Sequence, residues 1–423
     1  AGNVFFPLRY SGFSLPEAFN ESLKGELTNE ESKMVELLDL LCQLKNPILK
    51  IDLNQASKVE KAKGLLNKVD KKEIRTHTQG RAFKPDDFIT YLEQLEAEEN
   101  SSASIRKEQS RLNEFNCFNT SGLEASSNDW FENEIKEVSV NEYSSLKPWL
   151  KRVVLLHKVK QIDIMKGFTR VRPLAFDELI LANTAEEAGA RAEEYRRVVD
   201  VRKYPTTTPW LPCNVVKGEG LLLVFDNETL ESWSGEIASC SLSMDIRKRI
   251  KSLNDNHIRA LKDFDPSLTE ADVVNVNARY VLLHTLSHLL INSLSEAAGY
   301  NSASLSEVIY CNEEGQTKDS EKMNAILIYT SSSDSEGSLG GLIQNGKEHR
   351  LTEIFRSSLD KAKWCSSDPI CIDSDKGQGF MGTNLAACFA CSMVPETSCE
   401  NSNRFLDRAC FGGPQIDRFR QEK

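Results

Sequence analysis

Apolar positions along this chain recur with two different periods, and the changes of period divide it into regions. Over residues 1–98 the signals alternate: the aromatic, proline-punctuated VFFPLRYSGFSLP reads as a strand and turn, and ESKMVELLDLLCQL carries apolar residues at helical spacing. FKPDDFITYLEQLEAEE, with a proline and an acidic first turn, reads as a helix start. The polar run ENSSASIRKEQSRL opens a stretch, 99–139, that reads as a linker or loop. From 140 to 238, RVVLLHKVKQIDIMKGFTRVRP reads as an apolar segment, a glycine turn and a strand bearing Arg170 and Arg172. WLPCNVVKGEGLLLVFDNETLESW reads as a strand, a Gly-Glu-Gly turn around Glu219, and a second strand. From 239 to 423 the pattern is denser. DIRKRIKSLNDNHIRALKDF is a basic-faced amphipathic helix, and DVVNVNARYVLLHTLSHLLINSLSEAA is a long helix apolar enough to demand burial. NAILIY is a short buried strand, followed by the glycine-rich SEGSLGGL and the helix EHRLTEIFRSSLDKAKW. The expected fold is α/β (mixed α+β) and multi-domain, with a C-terminal helix–strand domain.

Composition narrows the function classes. The 423 residues carry a net charge of −11, so a free-standing DNA-binding protein is disfavoured and any phosphate contact must come from a local patch or a basic partner. No apolar run approaches the roughly 18–20 residues of a membrane span. The opening AGNVFFPLRYSG has neither basic n-region nor apolar h-region, so a secretory signal is not expected. It also lacks Met and enters abruptly in strand-like sequence, and so reads as the continuation of a longer chain. An odd count of eleven cysteines without a signal points to thiols in a reducing cytoplasm.

Six of those cysteines fall in the last sixty residues. Cys388 and Cys391 form a Cys-x2-Cys knuckle, whose thiolates a single tetrahedral ion can span. Cys365 and Cys371 supply a looser pair, and Cys399 and Cys410 are further candidates. The flanking sequences are loop-like and too short to bury a core, which suits a structural Zn2+ whose binding contributes folding energy. Buried small hydrophobes and an iron–sulfur cluster are the competing readings.

Other motifs carry less. His284 and His288 stand four apart on one helix face, as metal ligands do, but Thr285 occupies the place of the glutamate in H-E-x-x-H and no carboxylate ligand is apparent nearby. They read as core histidines with hydrogen-bond partners. GLIQNGK fits seven positions of a P-loop, but Glu348 replaces the magnesium-binding hydroxyl and its bulky interior cannot wrap an anion. SEGSLGGL offers backbone N–H groups at a helix start, or merely close packing. No catalytic constellation stands out, so an enzyme is not expected.

Together YVLLHTLSHLLINSL, AILIY, SEGSLGGL and the terminal cysteines resemble the MrfA zinc-binding (MZB) domain, found on or beside superfamily-two DNA helicases. CSSDPIC, AACFACSMVPETSCE, NRFLDRA, GNVFFP, GFTRVRP and WLPCNVVKGEGLLLVF resemble DrmB-like chains of the DISARM anti-phage system. The resemblance implies a non-catalytic cytoplasmic subunit that partners a DrmA-like helicase and reaches DNA through that complex. It implies a zinc tetrad at Cys365, Cys371, Cys388 and Cys391, with Cys399 able to replace one. Arg170, Arg172, Arg247, Lys248 and Arg249 are the candidate phosphate or partner contacts, against a solvated charged face. The alternatives are a metal-dependent nuclease built on His284 and His288, and a stand-alone DNA-binding module.

Overall fold

A computed structural model describes residues 5–16, 19, 103–122, 130–138, 143, 146, 147, 149–170, 199–200, 211–230, 241–264, 276–312, 323–331 and 340–411. The chain divides into two compact units, one of residues 1–17 with 111–423 and one of 18–110. The helices expected within 31–98 lie outside the described residues.

The first unit is organised by an antiparallel sheet in the order β1-β3-β5-β7-β6. Its strands are β1 (Phe5–Phe13), β2 (Glu132–Glu137), β3 (Leu150–Arg170), β4 (Val199–Asp200), β5 (Cys213–Phe225), β6 (Leu305–Cys311) and β7 (Asn324–Thr330). On one edge of β3, β1 pairs with its second half and β2 with its first. The described helices of five residues or more are α1 (Ala103–Phe118), α2 (Ser241–Phe264), α3 (Ala278–Ala298), α4 (Gly341–Asn345) and α5 (Glu348–Ala362). The sheet therefore draws strands from all along the sequence.

Alternation along β3, β5, β7 and β6 sorts their side chains into two apolar faces. Cross-strand register aligns Val153, Leu223, Ile326 and Ile309 in one row, and Val154, Leu222, Leu327 and Val308 in a row on the opposite face. The first row packs under α3, α4 and α5 in the main core. The second face receives the later turns of α1, from Arg111 on, and an aromatic cluster in which Phe13 meets Phe118 and Tyr329 edge-on, at 5.3 and 5.0 Å. Helix α3 is buried almost all round, as its composition demands, between an Asn277 N-cap and a left-handed Gly299 C-cap.

Two expected turns are absent. β3 runs unbroken through Gly167, and β5 runs through Gly218-Glu219-Gly220. In β5 the glycines serve close approach instead of a turn: a Cβ on Gly218 would lie 2.2 Å from Thr330 Oγ1. The 99–112 run, read as linker or loop, lies largely within α1, whose later turns bury Phe115 and Phe118.

Glu219 has a definite task. Its buried carboxylate accepts hydrogen bonds from the Gly340 and Leu342 N–H groups, both at 2.7 Å, and from Tyr300 Oη at 2.9 Å. The start of α4, whose N–H groups could face an anion, thus receives the chain's own carboxylate. Gly346, the second glycine of the P-loop look-alike, packs on the sheet, where a Cβ would lie 2.7 Å from Leu155 and 2.8 Å from Leu221. Replacing Glu219 by Ala leaves three donors, the Leu342 N–H fully buried and the other two partly so, without their acceptor, and the expected loss is about 3 kcal/mol. Urea denaturation monitored by tryptophan fluorescence measures it; an unchanged midpoint would contradict the capping role.

Candidate metal centre

After α5 the chain forms almost no regular structure. The stretch from Trp364 to Phe411 has short 3-10 turns at Phe380–Gly382, Glu396–Ser398 and Arg408–Phe411 and is otherwise loop. Its backbone closes on itself through Phe405 N to Thr383 O at 2.8 Å, Leu385 N to Leu406 O at 3.0 Å and Arg408 N to Ala386 O at 2.9 Å. Asn384 braces the same pairing from its side chain, donating to Asn403 O and accepting from Leu406 N.

This loop knot brings Cys365, Cys371, Cys388 and Cys391 together, all four sulfurs within 4.8 Å of one another. Cys365 lies 3.4 Å from Cys388, Cys371 3.9 Å from Cys391, and Cys388 3.7 Å from Cys391, sulfur to sulfur. A tetrahedral zinc with Zn–S of about 2.3 Å requires sulfurs about 3.8 Å apart, so the residues fit a mononuclear ion. An iron–sulfur cluster, carrying its own irons and sulfides, needs a wider cage. Four thiolates leave no open coordination position, so such a zinc supplies structure and no reacting ligand.

Donors surround the sulfurs. Cys388 N points at Cys391 Sγ (3.3 Å), Ser367 N at Cys365 Sγ (3.4 Å) and Ser392 Oγ at Cys391 Sγ (3.3 Å). Burial pushes the Cys391 thiol up to about 12. Burial also acts to raise Cys388, but hydrogen bonds from Cys365, the Ala390 N–H, Cys391 and Ser367 outweigh it and bring it down to about 7.

Arg408 is the counter-charge that the sequence reading missed. Fully buried, it donates to Ala362 O at 2.9 Å and to Asp368 at 2.6 Å, and Asp368 in turn accepts from Cys365 N at 2.8 Å. Burial alone would lower its pKa, yet Cys371, Asp368 and Cys391 raise it above the ordinary arginine value. A zinc tetrathiolate carries two net negative charges, and a cation sealed beside it offsets part of that.

Cys399 lies apart from the tetrad, in a second cluster with His284, His288 and Glu307. Cys410 is buried in the main core. Both histidines are buried in the core, where they meet a carboxylate, Glu307, that the sequence reading did not find. Glu307 sits on β6 between Leu305 and Ile309, facing the core in the row Leu155, Leu221, Ile328. An acid at a core-facing position of an alternating strand is the signal that would have revealed it.

Of the five candidate contact residues, Lys248 is exposed on α2. Arg249 is not a free cation: it makes a bidentate pair with buried Asp407, at 2.7 and 2.8 Å. The side chains of Arg170 and Arg247, and Arg172 altogether, lie outside the described residues.

Replacing Arg408 by Leu is expected to weaken zinc binding by about 10–100-fold, the usual cost of removing a residue that supports metal ligands. Competition against a chromophoric chelator reads this directly, and an unaltered affinity would remove Arg408 from the centre.

Residues 286–392 match the family model of MZB, the MrfA Zn-binding domain, and the cysteine tetrad falls wholly inside that match. Over 329 residues the chain is 32% identical to the DISARM protein DrmB of Bacillus paralicheniformis (strain ATCC 9945a / NCIMB 11709 / CD-2), a match covering 77% of this chain and 51% of that protein. The chain thus spans about half the length of that relative. Among the described residues no helix is long and apolar enough to cross a membrane.

Proposed function

We propose that this chain, a homologue of the DISARM protein DrmB carrying a zinc-binding MZB domain, serves in bacterial anti-phage defence as a non-catalytic cytoplasmic partner of a DrmA-like DNA helicase or translocase. The observation that carries the reading is a closed four-thiolate centre set in an MZB domain whose sheet continues into the rest of the unit. Such a centre shapes a surface and offers no coordination position for chemistry. The nuclease alternative rests on His284 and His288, and their complete burial supports the non-catalytic reading over it.

The surface so shaped exposes large apolar side chains. Trp364 precedes Cys365, Ile370 precedes Cys371, and Phe389 follows Cys388; they are 71%, 83% and 90% exposed. Each is adjacent in sequence to a tetrad cysteine, so a metal that fixes the four cysteines also fixes the backbone from which these three hydrophobes project. Exposed apolar groups of this size on a rigid support are what a protein partner buries. DNA contact is assigned to a separate feature, an open groove of about 430 Å³ lined by Lys248, Lys251, Arg259 and Lys376 together with Asp255. With four cations against one carboxylate, it is a local basic patch on an acidic chain, as the net charge required.

Phe389→Ser and Ile370→Ser are each expected to lower co-purification with the helicase at least about tenfold, as loss of an interface anchor does, with zinc content unchanged. Undiminished capture by both variants would remove this face from the interface. For DNA, Lys251→Glu should reduce the salt slope of binding by the assembled complex by about one. The chain alone should bind duplex weakly and, incubated with or without chelator, should cleave nothing. Tight binding without a helicase, or chelator-sensitive cleavage, would replace the scaffold reading with a DNA-binding module or a nuclease.

A further inference from the structure

We infer that His284, His288, Glu307 and Cys399 form a second, fully enclosed zinc site, independent of the cysteine tetrad. The four come from three separate parts of the fold: two from α3, one from β6 and one from the terminal loop. Their ligand atoms lie within 4.8 Å of one another. His284 Nε2 is 2.9 Å from Glu307 Oε1 and 3.2 Å from Cys399 Sγ, and His288 Nε2 is 3.1 Å from the same Glu307 oxygen. The imidazole rings stand at 88° to each other with centroids 4.7 Å apart, so both Nε2 atoms converge on one point from different directions. Zinc bonds of about 2.0–2.3 Å give tetrahedral edges of about 3.3–3.6 Å, so loading requires the ligands to spread by a few tenths of an ångström.

The groups behind the ligands orient them for a cation. His288 Nδ1 lies 2.7 Å from the Ser392 carbonyl, which can only accept, so Nδ1 carries the proton and Nε2 of the neutral ring holds a lone pair. That lone pair faces a carboxylate oxygen, an arrangement that is repulsive until a cation or a second proton lies between them. Glu307 Oε2 accepts from Ser287 Oγ, leaving Oε1 for the centre. Cys399 Sγ receives the N–H groups of Asn401 at 3.3 Å and Asn403 at 3.2 Å, donors that support a thiolate once a cation lies beside it; without one, burial and the Glu307 carboxylate push the thiol up. Support of this kind behind each ligand is the usual construction of a metal site. His284 Nδ1, by contrast, is buried without a hydrogen-bond partner.

Charge and ligand type choose the ion. With neutral imidazoles, one carboxylate and one thiolate, a divalent ion brings the site to zero net charge, which suits groups no more than 7% exposed. Imidazole and thiolate exclude calcium and magnesium, and three kinds of borderline donor in a four-coordinate cage favour zinc. The site fastens the terminal loop to α3 and the sheet, and it touches the tetrad through Ser392, whose hydroxyl donates to Cys391 Sγ. His284 and Cys399 fall outside the stretch that matches the MZB model, so the set is not contained in that match.

Metal analysis of the intact purified chain tests this. Wild type should hold two zinc ions per chain, and Cys399→Ser and His284→Gln should each hold one. Cys391→Ser should also hold one, having lost the other, so failure of the tetrad assignment and failure of this site are distinguishable. Cobalt-substituted Cys399→Ser should keep the intense sulfur-to-metal bands of a tetrathiolate, which also reports that the variant is folded. X-ray absorption on wild type needs no variant: it should average about 2.5 sulfurs per zinc with histidine scattering present. One zinc per chain, in an all-sulfur shell and retained by Cys399→Ser, would overturn the second site.

Discussion

Two buried charges, adjacent in sequence and opposite in sign, hold the terminal loop knot to the rest of the unit. Asp407 receives the Arg249 guanidinium from α2 and the Ala386 N–H from the loop, while its own N–H donates to Thr285 Oγ1 on α3. Arg408 turns the other way, to the end of α5 and to Asp368 beside Cys365. A loop without ladders cannot satisfy its backbone by itself, so side chains must do so. Removing one partner of such a buried pair costs about 3–5 kcal/mol, because the other is left buried and uncompensated. This dipeptide helps to hold the zinc loops in position relative to the helices, alongside hydrogen bonds such as Asn256 Nδ2 to Gly382 O and Ser398 Oγ to Ser302 O.

The pattern of apolar residues revealed what depends on local sequence. The buried helix around His284, the strand NAILIY and the clustering of thiols in the terminal loops all follow from periodicity or composition. Continuity of β3 and β5 did not, because Gly167, Gly218 and Gly220 are read as turns when only the chain itself is considered. Their role emerges only from the neighbouring strand, as with Thr330 against Gly218. The zinc tetrad was legible down to five cysteines by spacing and resemblance. Which one stands apart depended on Glu307, 92 positions before Cys399 and turned toward the core by sheet register. Arg249 was misread for a related reason: a basic helix face is visible in sequence, whereas its bidentate partner 158 residues away is not.

Glu219 and Glu307 show how one anomaly, an acid in a core strand, leads to two outcomes. Both are at most 2% exposed and both face the core from strands whose buried residues are mostly apolar. Glu219 is surrounded by donors only: two backbone N–H groups and a tyrosine hydroxyl. Its charge is therefore satisfied by fixed dipoles, and it acts as a cap for α4. Glu307 has one fixed donor, Ser287, and faces the lone pair of His288 Nε2, a second imidazole nitrogen on His284 and the Cys399 sulfur. Donor count separates a cap from a ligand where burial does not.

The same arithmetic explains why the two cysteine-containing clusters occupy different depths. A zinc tetrathiolate retains two negative charges; it lies near the surface, with Cys388 and Cys391 only partly buried, and it needs Arg408 beside it. A cage of two imidazoles, a carboxylate and a thiolate is neutral when filled and needs no counter-ion. Only the second can be sealed between α3 and the sheet without an electrostatic penalty. Depth also divides their roles. The outer centre presents Trp364, Ile370 and Phe389 to solvent, whereas the inner one fixes the loop that carries Cys399 against the scaffold. A partner pressing on the outer face would thus load a surface anchored twice, which favours a rigid interface over one that must order as it binds.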